Sequence, residues 1–403
     1  MNRPGVIRRS RFAPWALALL STCLWALGCS GGGDAGPGRR AGSNGSGATT
    51  GDSGTSGAGG GTSATGTGGA ATGGGAASAS AGGVASTSGS GGASGGTDGA
   101  GGTSGGQPGV TPAELVLPIE RGAAFVFEFE GQSFSVDPAV GARIVDFSLD
   151  AEPILTGPDI DSSNYGSTFW SSPQNAHWNW PPPVALDSAP YTATLSDTTV
   201  VMESGEVSFA ANDGTGNVSY VVSKRFSPDL VRRAIDIEYR LRNTGAGTVA
   251  IAPWEISRVP AGGLTLYPSG EVYSNSTITT QDVDGVSYVD FATAKAGTTD
   301  PNLPKLFADG TEGWIAHASG TLVFVKVFED VGNDAQAPNE GEIEIYLGPN
   351  YEEVEQQGAY VTLEPDAESV YRVKWFLRRL GPEVDVSVGS TSLVDAVRAI
   401  VAG

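Results

Sequence analysis

Apolar and polar residues alternate with period two along most of residues 111–403. Phe125, Phe127 and Phe129 are separated by Val126 and Glu128, and Ile235, Ile237, Tyr239 and Leu241 alternate with Asp236, Glu238 and Arg240. Side chains two apart share one face of a strand, so the second run predicts a long antiparallel strand with one buried and one wet face. Similar runs at 142–149, 218–226, 320–328, 341–347 and 370–380 predict further strands. Turn signals separate them at Asn212-Asp213-Gly214, Asn243-Thr244-Gly245 and Asp284-Gly285. One helix is expected, at the end of the chain. Ser392 is its cap, Asp395 follows three residues later, and Leu393, Val397, Ile400 and Val401 form one stripe. No internal repeat is evident. The pattern predicts an all-β fold: one large antiparallel β-sandwich with a short C-terminal helix, formed by residues 111–403.

The preceding residues cannot join that core. Residues 30–110 are almost wholly Gly, Ser, Thr and Ala and show no apolar periodicity. They read as a disordered tether. Such a coil spans about 50 Å on average. Its two Gly-x-Ser-x-Gly matches, at 92–96 and 102–106, lack the strand and helix that a nucleophile elbow needs. Residues 1–29 read as a secretion signal: Arg3, Arg8, Arg9 and Arg11 precede a mostly apolar run that is short for a membrane span. Its ending, Ala26-Leu27-Gly28-Cys29, resembles a bacterial lipobox, with Ala26 where leucine is usual. That resemblance implies lipid on Cys29 and attachment to the cell envelope. Ser30 after it leans towards the outer membrane or cell surface.

Charge and cysteine content narrow the chemistry. Cys23 and Cys29 are the only cysteines, and both lie in the signal. A disulfide, a thiol nucleophile and a cysteine-based zinc site are therefore excluded for the exported domain. From residue 111 onward there are 41 acidic and 17 basic residues, a net of −24. Such a surface repels phosphate backbones and excludes nucleic acid as a partner. With two histidines in the whole chain, a transition-metal site is not expected. No cofactor is implied, and a monomer is expected. Asp159, Asp161 and Asn164 form an oxygen-rich loop, as do Asp282, Asp284 and Asp290. Neither completes a calcium-loop pattern, and turns with local Asx hydrogen bonds are expected.

Residues 166–191 concentrate candidate binding groups: Trp170, Trp178 and Trp180 with Gln174, Asn175, His177 and Asn179, followed by Pro181 to Pro183. Proline fixes φ and lacks a backbone N–H, so this stretch is expected to be a rigid surface loop and not an interior strand. Two readings stand. The loop displays its tryptophans to a ligand with an apolar face and hydroxylated edges, as a sugar has. Alternatively it folds back to plug the end of the sandwich. Trp254, Glu255 and Arg258 form a second candidate group, with Glu255 and Arg258 either in a cleft or in a structural ion pair. Glu352, Glu353 and Glu355 make an acidic run that is either a site or a solvated edge. His317, on an apolar strand, is expected to be a satisfied core histidine.

Three segments together resemble the galactose mutarotase-like (aldose 1-epimerase-like) superfamily: FSVDPAVGARIVDFSLDAEPIL from Phe134, YRLRNTGAGTVAIAPWEISR from Tyr239, and YEEVEQQGAYVTLEPDAESVYRVKWFL from Tyr351. The Trp-Asn-Trp-Pro-Pro-Pro stretch resembles a subgroup known mainly as a domain of unknown function. The resemblance implies a β-supersandwich with a concave sugar-binding face. In that superfamily's epimerases a histidine acid and a glutamate base act on the anomeric hydroxyl and the ring oxygen. Carried over, the glutamate falls on Glu355 or, one pleat away, on Glu353. The histidine position falls on or beside Glu255, where no histidine stands. Expectation therefore divides between three roles. They are a carbohydrate-binding envelope lipoprotein using Trp170, Trp178, Trp180, Trp254 and Arg258, an epimerase-like enzyme, and a structural surface domain.

Overall fold

Alternation along the chain becomes two antiparallel sheets of eleven strands each. The structure is a computed structural model describing residues 116–403. The readings of residues 1–29 as a signal ending at Cys29, and of 30–110 as a tether, lie outside the described residues. In the first sheet the strand Ser167–Ser172 pairs with Val249–Pro260, followed by Tyr351–Gln357, Ile343–Leu347 and Lys305–Ala308. The second sheet runs through Leu264–Pro268, Trp314–Ser319, Leu322–Phe328, Glu368–Arg379, Ala234–Asn243 and Asn217–Asp229. Asp284 and Gly285 both take positive φ at 51° and 78°, the two-residue turn that joins Gln281–Val283 to Val286–Asp290.

Between the sheets lies an aromatic core. The Phe134 ring packs on Phe147, Phe226 and Trp375 with centroids 5.7, 5.8 and 5.9 Å apart. Ile235, Ile237, Tyr239 and Leu241 all point into it, as the alternation predicts. A second apolar cluster lies on the other side of the second sheet. There Leu393, Val394 and Val397 of the helix Thr391–Ala402 cover Trp314, Phe376 and Leu266. The helix begins two residues earlier than expected. Ser390 is its cap, accepting from Leu393 N at 3.2 Å, while the Ser392 hydroxyl accepts from Asp385 N outside the helix.

His317 is in the core but only half satisfied. Its Nδ1 lies 2.9 Å from the Thr265 hydroxyl, which also bonds Glu352, while its Nε2 has no partner among the described residues. All three side chains are fully buried. Burial pushes the imidazole down to about 4 and the Glu352 carboxyl up to about 8, so the neutral forms of both are the folded ones near pH 6. The lowered histidine contributes stability that is lost as pH falls from its unfolded value towards 4. The raised glutamate contributes stability that is lost as pH rises from about 4.5 towards 8. Glu352→Gln should therefore flatten the decline in stability between pH 5 and 8 by on the order of 2–4 kcal/mol, read from urea unfolding across that range. An unchanged pH profile would mean that the buried carboxyl is already ionised in the fold.

Candidate functional site

Strand pairing decides which side chains meet. Paired residues point to the same face, so Trp254, Ile256 and Arg258 share a face with Gln357, Glu355 and Glu353 across one junction and with Trp170 and Thr168 across the other. Register carries the same face on to Glu344 and Tyr346, and then to Phe307 and Lys305. This is the outer face of the first sheet, turned away from the second sheet. On it stand two tryptophans, three glutamates and two cations. Glu355 accepts from Trp254 Nε1 at 2.8 Å and from Lys305 Nζ at 3.2 Å. Lys305 also pairs with Glu344 at 2.7 Å and lies 4.9 Å from the Trp254 ring centroid. Arg258 donates through Nε to Glu353 at 2.8 Å and through Nη1 to Thr168 at 3.1 Å, with its guanidinium 5.4 Å from the Trp170 ring.

The segment after Ser172 folds over this face. Pro173 ends the strand, and two short helices follow, Gln174–His177 and Val184–Asp187. Asp187 accepts from Trp170 Nε1 at 2.9 Å and pairs with Arg143 at 3.3 Å, fixing the loop to the sheet. The backbone N–H of Gln174 donates to Glu340 at 2.5 Å. Glu340 in turn bonds Ser172 and accepts from Gln357, which also donates to Glu344 at 2.8 Å. Trp170 makes edge contacts with Trp178, Trp180 and Trp254, centroids 5.8, 5.8 and 5.4 Å apart. Of these four rings, Trp180 is the one open to solvent, at 57% exposure.

Burial tunes the charged groups. It pushes the Glu344 carboxyl up to about 8 against the opposing pull of Lys305. It also raises Glu353, with Arg258 opposing. Burial alone would lower the Lys305 ammonium, but Glu344 and Glu355 reverse this, and it is held above the ordinary lysine range. Lys305 therefore stays charged. Glu353 is more open to solvent than Glu344 or Glu355, with 12% of its side chain exposed against 1% and 0%.

Several expectations change here. The stretch 166–191 is not wholly a loop: Ser167–Ser172 is an interior strand of the first sheet. The proline argument applies only from Pro173 onward, and the six residues before it are free to hydrogen-bond on both sides. Trp170 and Trp178 are 4% exposed and act as packing, so the tryptophans are not displayed as a set. Glu255 is not on this face. It lies three residues from Arg258, an odd offset, so the pleat sends the two to opposite sides. Glu255 points between the sheets, accepting from Tyr239, Gln356 and Trp375 at 2.6, 2.7 and 3.0 Å and pairing with Lys326 at 3.2 Å. His177 packs against Phe209, and its backbone carbonyl accepts from Asn212, away from the carboxylates. Gln174 contributes through its backbone. Lys305, Glu344 and Glu340 were not anticipated. Glu344 alternates with Ile343 and Ile345, a pattern that by itself reads as a wet strand face.

Asp161 holds its loop by accepting from the backbone of Ser163 and Asn164 at 2.9 and 2.8 Å, and Asp290 caps a helix. Among the described residues no group of three or more His, Asp or Glu is arranged to hold a metal ion. A cavity of about 440 Å³ lies on the outer face of the second sheet, lined by Arg225, Asp236, Glu238, Val327, Arg372 and Lys374. Four of its charges are paired across strands, Arg372 with Glu238 and Lys374 with Asp236, both at 2.9 Å. The aromatic face carries the richer chemistry.

Fold and site together define a large antiparallel β-sandwich with an aromatic and carboxylate-rich outer face. The fold of this chain has counterparts among solved structures. Solved structures similar to it include a protein of Synechocystis (13% identity, TM-score 0.45, covering 65% of this chain and 97% of that one). A galactose mutarotase-like protein of Clostridium acetobutylicum is also similar (10% identity, TM-score 0.40, covering 64% and 95%). So is an aldose epimerase homologue of C. elegans (9% identity, TM-score 0.40, covering 62% and 97%). No protein-family model matches the chain, and no curated protein matches it.

The placement of Glu255 is testable. Glu255→Ala should cost about 3–5 kcal/mol in urea unfolding, because it strands Lys326 in the core. A loss below about 1 kcal/mol would mean that the inner cluster is not a structural pair.

Proposed function

We propose that the protein is a carbohydrate-binding lipoprotein of the cell envelope, held by lipid on Cys29, with its ligand on the outer face of the first sheet. The observation that carries this reading is Trp180. A tryptophan 57% exposed stands in edge contact with Trp170, and Trp170 lies over the Arg258–Glu353 pair. An open aromatic surface beside fixed, partly exposed polar groups suits a ligand with an apolar ring face and hydroxylated edges. Arg258, Trp170 and Trp254 support the floor, and Glu353 offers an acceptor. Among the described residues no hydrogen bond engages its Oε2.

An epimerase would need an acid and a base in different protonation states at one anomeric centre. Glu353 and Glu355 could supply carboxylates to such a reaction. Both histidines of the chain lie elsewhere, His317 between the sheets and His177 against Phe209. This favours binding over turnover.

The test is a glycan array probed with the full chain, with tryptophan fluorescence following each hit. A binding sugar should shift the emission, and Trp180→Ala should weaken its binding at least tenfold, about 1.4 kcal/mol, without altering stability. Hits insensitive to Trp180→Ala would remove the ligand from this face. Anchoring is tested separately: Cys29→Ser should move the protein from the membrane fraction to the soluble fraction of expressing cells. Retention in the membrane would sink the lipid anchor.

A further inference from the structure

The outer face of the first sheet already accommodates three cations of the chain itself, each over an aromatic ring and against a carboxylate. Lys305 Nζ lies 4.9 Å from the Trp254 ring and 5.4 Å from Phe307, with Glu344 and Glu355 at 2.7 and 3.1 Å. Arg258 lies 5.4 Å from Trp170 with Glu353 at 2.8 Å, and Arg143 lies 4.5 Å from Tyr165 with Asp187 at 3.3 Å. All three are withdrawn from solvent, with side-chain exposures of 11%, 0% and 3%. The carboxylates of two of these pairs reach further out: Asp187 is 18% exposed and Glu353 12%. Trp180 is the solvent-open tryptophan of this group, and no cation of the described residues lies over it.

Resting on the reading of this face as a carbohydrate site, we propose that its ligand is a glycan bearing free amino groups. A hexosamine ring lies on Trp180 with its ammonium directed to the Glu353 and Asp187 side, and acidic glycans are excluded. An ammonium over an aromatic ring and near a carboxylate reproduces what the face does with its own cations. Five carboxyl groups, Asp187, Glu340, Glu344, Glu353 and Glu355, stand with the three cations Arg143, Arg258 and Lys305, so carboxyl oxygens outnumber basic groups on this face. A uronate or sulfate would meet carboxylates first and could reach a guanidinium only by breaking a buried ion pair. Arg258 Nη2 is buried and has no hydrogen-bond partner among the described residues. The charge of Arg258 is already matched by Glu353, so this face offers an anion no free guanidinium.

The experiment titrates the full chain with three oligosaccharides of equal length, a β-1,4-linked glucosamine oligomer, its N-acetylated counterpart and a galacturonate oligomer. Tryptophan fluorescence is followed at mildly acidic pH, where the amines are charged. The free-amine oligomer should bind roughly fivefold more tightly than the acetylated one, and the uronate should not bind. Trp180→Ala should remove the response to both amino-sugar oligomers, and Glu353→Gln should bring their affinities together. Equal affinity for the amine and acetyl forms, or uronate binding that depends on Trp180, would overturn the amine preference and leave the carbohydrate reading standing. An amine preference that survives both substitutions reflects general attraction to an acidic surface and overturns the proposal as well. Silence with all three, and across the glycan array, removes the site altogether. Should Glu353→Gln fail to fold, the ranking of the three ligands on the unchanged chain together with its loss in Trp180→Ala still decides.

Discussion

Two neighbouring strands in the middle of the first sheet, Val249–Pro260 and Tyr351–Gln357, are buried on both faces, and both faces carry charge. Buried charge must be paired, and pairing across a pleat fixes register. On the inner side Glu255 is held by Lys326, Tyr239, Trp375 and Gln356, groups drawn from both sheets. On the outer side Glu355 is held by Trp254 and Lys305, and Glu353 by Arg258. A slip of one residue would turn Glu255 outward and Arg258 into the aromatic core, leaving each without its partner. The sandwich and its outer face therefore depend on the same register.

That register positions more than the strands. Lys224, buried on the second sheet, donates to the carbonyls of Gly141 and Ala142 at 2.7 and 3.2 Å. Both residues take positive φ in the turn before Arg143, and a Cβ on Gly141 would lie 1.9 Å from the carbonyl oxygen of Asp187. Only glycine allows that approach. Arg143 then pairs with Asp187, and Asp187 holds Trp170. The second sheet thus supports the loop over the outer face of the first through one lysine and one turn. Burial lowers the amine of Lys224 to about 7 against the opposing pull of Asp187 and Glu255.

Much of this was legible from alternation alone. The strands around Ile235 to Leu241, the C-terminal helix and the two-sheet class follow from spacing, because a half-buried strand repeats every two residues. Which face a given charge takes was legible only by counting from a fixed neighbour. Glu353 and Glu355 were correctly read as sharing a face, two apart, while Glu255 and Arg258 were read together although three residues separate them. Pairing across strands distant in sequence was not legible. Lys305 and Glu344 meet Glu355 only because three separate strands lie side by side, and nothing local to residue 305 indicates it. The tryptophan-rich stretch misled for another reason. Proline restricts the backbone where it stands, and the six residues before Pro173 carry no such restriction.

The charge distribution has a consequence for what the outer face can meet. Five of the seventeen basic residues after position 110 are buried: Arg143, Lys224, Arg258, Lys305 and Lys326. Three of those five lie beneath the aromatic face, each already matched to a carboxylate. Cations that would ordinarily advertise an anion site are here spent on the protein's own acids, of which Glu255, Glu340, Glu342, Glu344, Glu352 and Glu355 are buried as well. An approaching ligand therefore meets an open indole and the outer oxygens of Glu353 and Asp187 before any basic group. The same pairing that keeps the strands in register thus leaves acceptor oxygens, and no unpaired cation among Arg143, Arg258 and Lys305, at the outer side of this face.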